Sequence, residues 1–505
     1  LFLAAFLVLF LMTEYRGSDR IVAAVNGFFR ANPLTAVTTL LAAKGYVPLL
    51  LPGLLVLLFS LFLGRFFCGW ICPLGTVLDL VTGRIGKTSP LRWLTDRVKL
   101  WLLLPLLGAA LFNLNIAGLL DPIAILLRGL TFCLHPLLGD TVRGGWRGLY
   151  GLMGEGRDLL APGYRLVNDY ILPFREALYP LAFASAGLLG VVIFLERYGK
   201  RTWCRRLCPL GTLLGIAARF SPLLRTPDAP CSSCRRCAAA CPSGFDREIM
   251  QNEECLECMA CVEACPTGKV GFSFGLRSEE KPLMERRVLL GGLLSGFFLA
   301  RLFRFRDPAA QARLLRPPGV RDEGEFLHRC IRCGECMKVC LRSALYPAIA
   351  QAGVEGLYTP VLLPRLGYCE YNCTLCGQVC PTGAIPDLPP EAKKREVIGK
   401  AVFDKNHCLP FAKRIDCIVC EEHCPVPGKA IRTEQVVMTG FAGERRTVKA
   451  PYVVEELCNG CGICENVCPL EGKAGIEVFA VKNRAPLAAA MPVDKAAHAA
   501  EDPYR

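Results

Sequence analysis

Histidine is nearly missing from this 505-residue chain: there are five, and none falls in the long apolar segments. That argues against bis-histidine haem b inside a membrane. No Cys-x-x-Cys-His occurs, so c-type haem is excluded. Also missing are a Gly-x-Gly-x-x-Gly that opens a helix, a Gly-x4-Gly-Lys-Ser/Thr loop and a Gly-x-Ser-x-Gly turn. Nicotinamide, nucleotide and acyl-transfer enzymes therefore lack support. Eight methionines and five histidines are scattered, so no Met/His-rich copper segment exists. Charge is thin as well, at 21% against 52% hydrophobic residues, with mean hydropathy +0.35. That balance is too apolar for an ordinary soluble protein and predicts membrane spans. The first residue is Leu, already inside an apolar run, so the N-terminus is expected to be cut short.

What is abundant is cysteine. The 29 cysteines are odd in number, which argues against a closed disulfide framework, and their spacing says more than their count. Two runs follow Cys-x2-Cys-x2-Cys-x3-Cys-Pro in full: Cys231, Cys234, Cys237, Cys241 and Cys255, Cys258, Cys261, Cys265. In this bacterial ferredoxin grammar three close thiolates wrap one cubane and the fourth reaches the sister cluster. One cluster is thus assigned to Cys231, Cys234, Cys237 and Cys265, the other to Cys255, Cys258, Cys261 and Cys241. Zinc does not need three cysteines at this spacing followed by Cys-Pro. Four more quartets follow. Cys330, Cys333, Cys336 and Cys340 have Leu341 in place of proline, and Cys369, Cys373, Cys376 and Cys380 open with three intervening residues. Cys408 stands ahead of Cys417, Cys420 and Cys424, and Cys458, Cys461, Cys464 and Cys468 are regular. Six [4Fe–4S] clusters are expected, arranged as two α+β ferredoxin-like units. At roughly −2 each they would offset most of the formal +14 of the chain. The dispersed Lys and Arg follow the apolar spans, so nucleic acid is a poor partner.

Four apolar segments come first: Leu1–Met12, Val47–Leu63, Leu100–Leu120 and Ala177–Leu195. They predict an α-helical membrane bundle of about four spans. Arg65, Arg84, Lys87, Arg92 and Arg97 after the second, and Arg197, Lys200, Arg201, Arg205 and Arg206 after the fourth, place those ends in the cytoplasm. The Gly-rich connection 122–176 then lies outside, although Arg128, Arg143 and Arg147 weaken that placement. A fifth apolar stretch, Val288–Ala300, follows Arg286-Arg287; its 13 residues read as a fifth span, a twin-arginine signal core, or an interfacial or buried helix. The domains read as 1–220 membrane, 221–280 two-cluster, 281–319 apolar segment and linker, 320–482 four-cluster, and 483–505 flexible tail.

The membrane part holds a repeat. Phe67-Cys68-Gly69-Trp70-Ile71-Cys72-Pro73-Leu74-Gly75-Thr76 recurs as Trp203-Cys204-Arg205-Arg206-Leu207-Cys208-Pro209-Leu210-Gly211-Thr212. If the turns are helical, each pair of cysteines lies on one face. Cys68, Cys72, Cys204 and Cys208 then form a further redox or metal site, a possible seventh cluster, between the membrane and ferredoxin halves. The alternatives are two separate thiol pairs, or small packing residues. Asp121, before Pro122, is a candidate proton acceptor from a quinol, or else a helix cap. His135 is a weaker quinol-site candidate, and Cys133 a small core residue.

With this repeat, the Asp-Pro and the adjoining quartets, the first 280 residues resemble the NapH/MauN family of membrane ferredoxin-type proteins in quinol-dehydrogenase modules. NosR-like and CcoG-like proteins share the repeat. From Arg286-Arg287 onward the chain resembles the NapG/MauM family of four-cluster ferredoxins with twin-arginine leaders. The resemblance implies a fusion of the two in a bacterial inner membrane, multi-pass, with lipid and the quinone pool as partners. It implies a quinol donor, an outward-facing, periplasmic C-terminal unit, and a periplasmic or membrane reductase or cytochrome as acceptor. By the same analogy Cys340 joins the 458–464 group and Cys380 the 417–420 group. The competing expectation is a maturation or regulatory redox factor for another metalloenzyme, as in NosR-like or CcoG-like proteins. Whether the chain is itself an enzyme, as a quinol dehydrogenase component, is left open by the sequence.

Overall fold

The computed structural model describes residues 1–82, 97–152, 157–175, 177–227, 234, 236–243, 254–275, 286–304, 313–349, 351–439, 445–481 and 487. Cys231, Arg84, Lys87, Arg92 and nearly all of the 483–505 tail lie outside the described residues.

Up to residue 218 the described chain is helical, and X-Pro steps start several of its helices. Asn32 caps Pro33–Ala43 by accepting from the Leu34 and Thr35 amides. Asp121 caps Pro122–Gly129 in the same way through Ile123 and Ala124. Proline at the first helical position has no amide to leave unsatisfied, and the preceding polar side chain takes up the amides that follow. Most of the apolar helices are short. The predicted spans become Phe2–Met12, Leu51–Leu63, Arg97–Leu111 and Ala182–Phe194. Apolar helices of 10–17 residues run ~15–26 Å, less than a ~30 Å hydrocarbon core. Among the described residues one helix is long and apolar enough to cross by length and composition: Pro122–Leu152, of 31 residues. It falls in the connection that the sequence assigned to an outside loop. Its glycines and arginines dilute the hydropathy there, yet the helix continues through a π-turn at Leu130–Leu134. A four-span bundle is thus not what the helix lengths alone describe.

The fifth stretch is the helix Arg286–Phe303, longer than its 13 apolar residues because both arginine-bearing ends are helical. It packs along Arg97–Leu111 through glycines. A Cβ on Gly296 would stand 2.6 Å from the Ala109 amide, and one on Gly108 2.8 Å from the Leu293 carbonyl. Gly292 and Gly296 are four apart, the small-residue spacing that lets two helix backbones approach closely.

The cysteine-rich parts carry four two-stranded antiparallel sheets. These pair β1 (Leu223–Pro227) with β2 (Val270–Phe274), and β3 (Leu345–Pro347) with β4 (Pro360–Leu362). They also pair β5 (Lys400–Phe403) with β8 (Ile476–Phe479), and β6 (Ile431–Thr439) with β7 (Arg445–Val453). The four-cluster part docks directly on the helices. Asn115 donates to the His328 carbonyl at 3.0 Å, and Arg332 donates to the Asn115 carbonyl. Arg128 lies over the Tyr358 ring, 4.8 Å from its centroid. Gly118 is required here, since a Cβ would overlap the Ile331 carbonyl. One continuous apolar core contains Cys68, Cys72, Cys204, Cys208, Ile331 and Cys333.

Candidate iron–sulfur centres

Strand pairing decides which cysteines meet. β3 follows Cys340 and β4 precedes Cys369, so the Leu345–Leu362 pair brings Cys340 to the 369 loop. β5 precedes Cys408 and β8 follows Cys468, so the Phe403–Ile476 pair returns Cys468 to the 408 loop. The cavities agree. Cys330, Cys333, Cys336 and Cys380 line one, Cys424, Cys458, Cys461 and Cys464 a second, and Cys408, Cys417, Cys420 and Cys468 a third. Their empty volumes, about 370, 330 and 340 Å³, suit occupants of one size. Cys340 stands with Cys369, Cys373 and Cys376, whose charges act on one another. Each set therefore exchanges its last cysteine with its neighbour in sequence. This corrects the pairing implied by resemblance, in which Cys340 joined the 458–464 group and Cys380 the 417–420 group. A short hairpin between adjacent sets closes before any long-range exchange is needed.

In the smaller unit Cys241 lies with Cys255, Cys258 and Cys261, as the sequence assigned them. β1 with β2 brackets this unit as β5 with β8 brackets the later one. Cys234, Cys237 and Cys265 are described; their partner Cys231 is not.

The regular loops share one turn. The residues on either side of the second cysteine have positive φ: Glu257 and Met259, Arg332 and Gly334, Gly460 and Gly462. Two left-handed residues in five wrap the backbone around a compact guest. Burial pushes the thiols of Cys255, Cys373, Cys408, Cys420 and Cys461 up to about 12, so without iron they stay protonated. Among the described residues no three His, Cys, Asp or Glu side chains are placed to share one metal ion. Thiolates around a zinc ion, at 2.3 Å from it, stand about 3.8 Å apart. A cubane instead binds its four cysteines at four separate irons and holds them farther apart, and the donor set fits that group.

The repeated motif also converges. Cys68, Cys72, Cys204 and Cys208 are all at least 91% buried and close enough for their charges to interact. The turns are not single helical faces. Cys68 sits in a π-turn, Phe67–Ile71, and Cys204 in a short helix, Thr202–Arg206. Cys72 and Cys208 instead precede Pro73–Thr82 and Pro209–Ala218, and Cys208 Sγ accepts from the Gly211 amide at 3.3 Å. Proline forbids continuing the first turn and starts the next helix. Two thiols thereby sit at helix N-termini, each taking an amide of the next helix, that of Gly75 for Cys72 and that of Gly211 for Cys208. The 254–265 loop lies on this site. Trp70 Nε1 donates to the Glu257 carbonyl at 3.0 Å, Gly69 abuts Leu256, and Arg65 faces Glu254 at 3.6 Å.

Asp121 is a cap: Oδ1 takes the Ile123 and Ala124 amides, and Oδ2 accepts from Asn32 at 2.5 Å. His135 is 3.9 Å from Glu14 and bonds the Ile171 carbonyl at 2.9 Å. Spacing gave no sign of Lys338, buried between Cys336 and Cys340. It binds Glu14 at 2.7 Å and lies 4.3 Å from the Phe10 ring centroid. Nor did it mark Lys393: burial pulls its ammonium down, and the neighbouring Cys369 and Cys373 outweigh this and hold it raised.

Three sequence-family models, each described as "4Fe-4S binding domain", match the chain: one at 45–92 and 180–227, one at 451–471, and one at 252–268 and 327–343. The first falls on the two copies of the repeat. The methylamine utilization ferredoxin-type protein MauM of Paracoccus denitrificans is 36% identical over 189 residues, 37% of this chain and 80% of the relative. The ferredoxin-type protein NapG of Escherichia coli is 36% identical over 162 residues, 32% of this chain and 68% of the relative. No solved structure matches. The chain is thus an iron–sulfur electron-transfer protein with several [4Fe–4S] clusters.

Proposed function

We propose, because the chain belongs to the MauM/NapG family of ferredoxin-type proteins, that it is a membrane-bound carrier taking electrons from quinol to a partner reductase. Six [4Fe–4S] clusters are held by Cys231, Cys234, Cys237 and Cys265; by Cys241, Cys255, Cys258 and Cys261; and by the four neighbour-exchanged quartets between Cys330 and Cys468. A seventh site is the tetrad Cys68, Cys72, Cys204 and Cys208. When bound, the clusters take up and release single electrons. The chain's own residues fix their spacing and tune them through hydrogen bonds, burial and charge.

The observation that carries the reading is that both cysteine-rich parts pack on one apolar helical body, with the tetrad and Cys333 in the same core. The Phe2–Met12 helix, ~16 Å long, touches the segment of Cys68, and Phe10 near its end lies over Lys338. A membrane setting is supported by large apolar side chains left exposed on several helices, among them Leu58, Phe62, Phe183, Phe194, Leu294 and Phe298. A surface of this kind suits lipid better than water. In this reading the protein sits in a bacterial inner membrane, the NapH/MauN-like part carries the tetrad, and the 320–482 unit faces the periplasm.

The test is anaerobic purification, iron and sulfide analysis, and EPR after adding a reduced quinol. Cluster signals that appear with quinol bear the reading out; clusters that no quinol of suitable potential reduces would sink it.

A further inference from the structure

Each copy of the repeat carries an arginine three residues before its first cysteine: Arg65 before Cys68 and Arg201 before Cys204. By sequence these are two of many rim charges. The structure buries both to 2% exposure and crosses them over. Arg201, from the second copy, donates through Nη1 to the Cys68 carbonyl of the first at 2.8 Å. Arg65, from the first copy, reaches the Cys204 carbonyl of the second at 3.5 Å. The same exchange holds at the glycine of each Pro-Leu-Gly-Thr. A Cβ on Gly75 would lie 3.2 Å from Arg201 Nη1, and one on Gly211 2.7 Å from Arg65 Nη2. Glycine at these positions leaves room for the opposite copy's guanidinium. Each cation faces a carboxylate, Glu254 being shared with Lys99. Asp79 takes Arg201 Nε at 2.8 Å and Nη2 at 2.5 Å, and Glu254 faces Arg65 at 3.6 Å. Glu254 directly precedes Cys255, so Arg65 also ties the tetrad to the neighbouring cluster loop.

We propose that Arg65 and Arg201 form a reciprocal clamp that holds the two copies around the thiolate tetrad and supplies the positive charge that sets the potential of the centre bound there. This rests on the reading that the tetrad holds an iron–sulfur centre. The physical reason is simple. A buried anionic centre that gains one electron gains one negative charge, and in a low-dielectric site a fixed cation nearby favours that step. Arginine is suited to the position because it stays charged and its planar fork serves a carbonyl and a carboxylate at once. Arg65 and Arg201 are positioning residues; the cysteines are the ligands.

The test uses the full chain, purified anaerobically in detergent and titrated by EPR with dithionite as electron donor through mediators. Arg65→Gln and Arg201→Gln are each expected to keep iron and sulfide. Each should make one centre at least tenfold harder to reduce, 59 mV for a one-electron couple, and leave the others in place. Arg65→Lys and Arg201→Lys, which keep the charge, should stay within threefold of the native midpoint. Unchanged midpoints in both Gln variants overturn the clamp. So does equal loss of the centre in the Gln and Lys variants, which would make the arginines structural only. Native iron and sulfide in the Cys68→Ser, Cys204→Ser double variant would instead overturn the tetrad reading itself.

Discussion

At the scale of single residues, the joint between the helices and the four-cluster unit rests on groups that no motif announces. Lys338 sits in x3 of a ferredoxin quartet, a position usually read as filler, yet its ammonium is buried against Glu14 and Phe10. A buried ion pair is a weak source of net stability, but removing the lysine leaves the Glu14 carboxylate with only the Phe174 amide and His135 beside it, at up to about 3–5 kcal/mol. Lys338→Met is therefore expected to lower the thermal unfolding temperature of the whole chain. Lys338→Met combined with Glu14→Gln, which keeps an acceptor for the Phe174 amide, should recover most of the loss, as followed by near-UV circular dichroism. Asp121 makes the opposite case. It was visible as an Asp-Pro at a helix end, and both of its sequence readings, proton acceptor and cap, were sound chemistry. Three hydrogen bonds now occupy its oxygens. Asp121→Asn keeps an accepting oxygen for the cap and should retain quinol-dependent cluster reduction within about twofold, whereas Asp121→Ala should cost about 0.5–2 kcal/mol of stability. A complete loss of quinol reduction in Asp121→Asn would restore the proton role.

At the scale of elements, the cysteine loops were legible because cluster binding is local: three ligands within seven residues need only a turn. In the smaller unit the exchange of Cys241 was legible too, but in the four-cluster unit the fourth ligand was not, because there it depends on which strands pair. The hairpin from β3 to β4 and the bracket of β5 with β8 bring Cys340 and Cys468 to their partners, and none of these four short strands stands out in the sequence. Cys380→Ser should therefore remove the cluster of Cys330, Cys333 and Cys336, and Cys340→Ser that of Cys369, Cys373 and Cys376. EPR of each variant, compared with variants of the loop cysteines themselves, decides this; matching loss between Cys340→Ser and Cys461→Ser would favour the long-range exchange. Helix boundaries were less legible than helix existence. The run Leu100–Leu120 is uncharged throughout, but its helix stops at Leu111, and a separate 3-10 turn follows at Ala117–Leu119. Hydropathy could not see the turn. The glycines of Arg286–Phe303 were also silent, since spacing of four has meaning only once the partner helix is known. Gly296→Leu should force the pair apart, and crosslinking between cysteines placed at 112 and 297, where the Phe112 and Phe297 rings stand 4.9 Å apart, should fall in that variant.

At the scale of the whole molecule, the sequence left a difficulty that the packing addresses. If Val288–Ala300 crosses the membrane, the clusters near 255 and near 330 stand on opposite faces of a ~30 Å layer with no haem between them. Their separation is instead spanned by a helical body in which one apolar core runs from the Cys68–Cys208 tetrad to Cys333, with the 254–265 loop laid against the tetrad. Among the described residues the tetrad shares this core with Leu256 of the two-cluster unit and Cys333 of the four-cluster unit, and in the proposed reading it is the bridge between them. Removing it should divide the chain into two redox compartments. In native protein mixed with a reduced quinol and freeze-quenched, EPR signals from both units should rise together. In Cys204→Ser, with the six ferredoxin-type clusters still present by iron analysis, one unit should fill at its native rate and the other at least tenfold more slowly. Equal filling of both units in that variant would mean that electrons travel by another route, and that the tetrad is not the bridge.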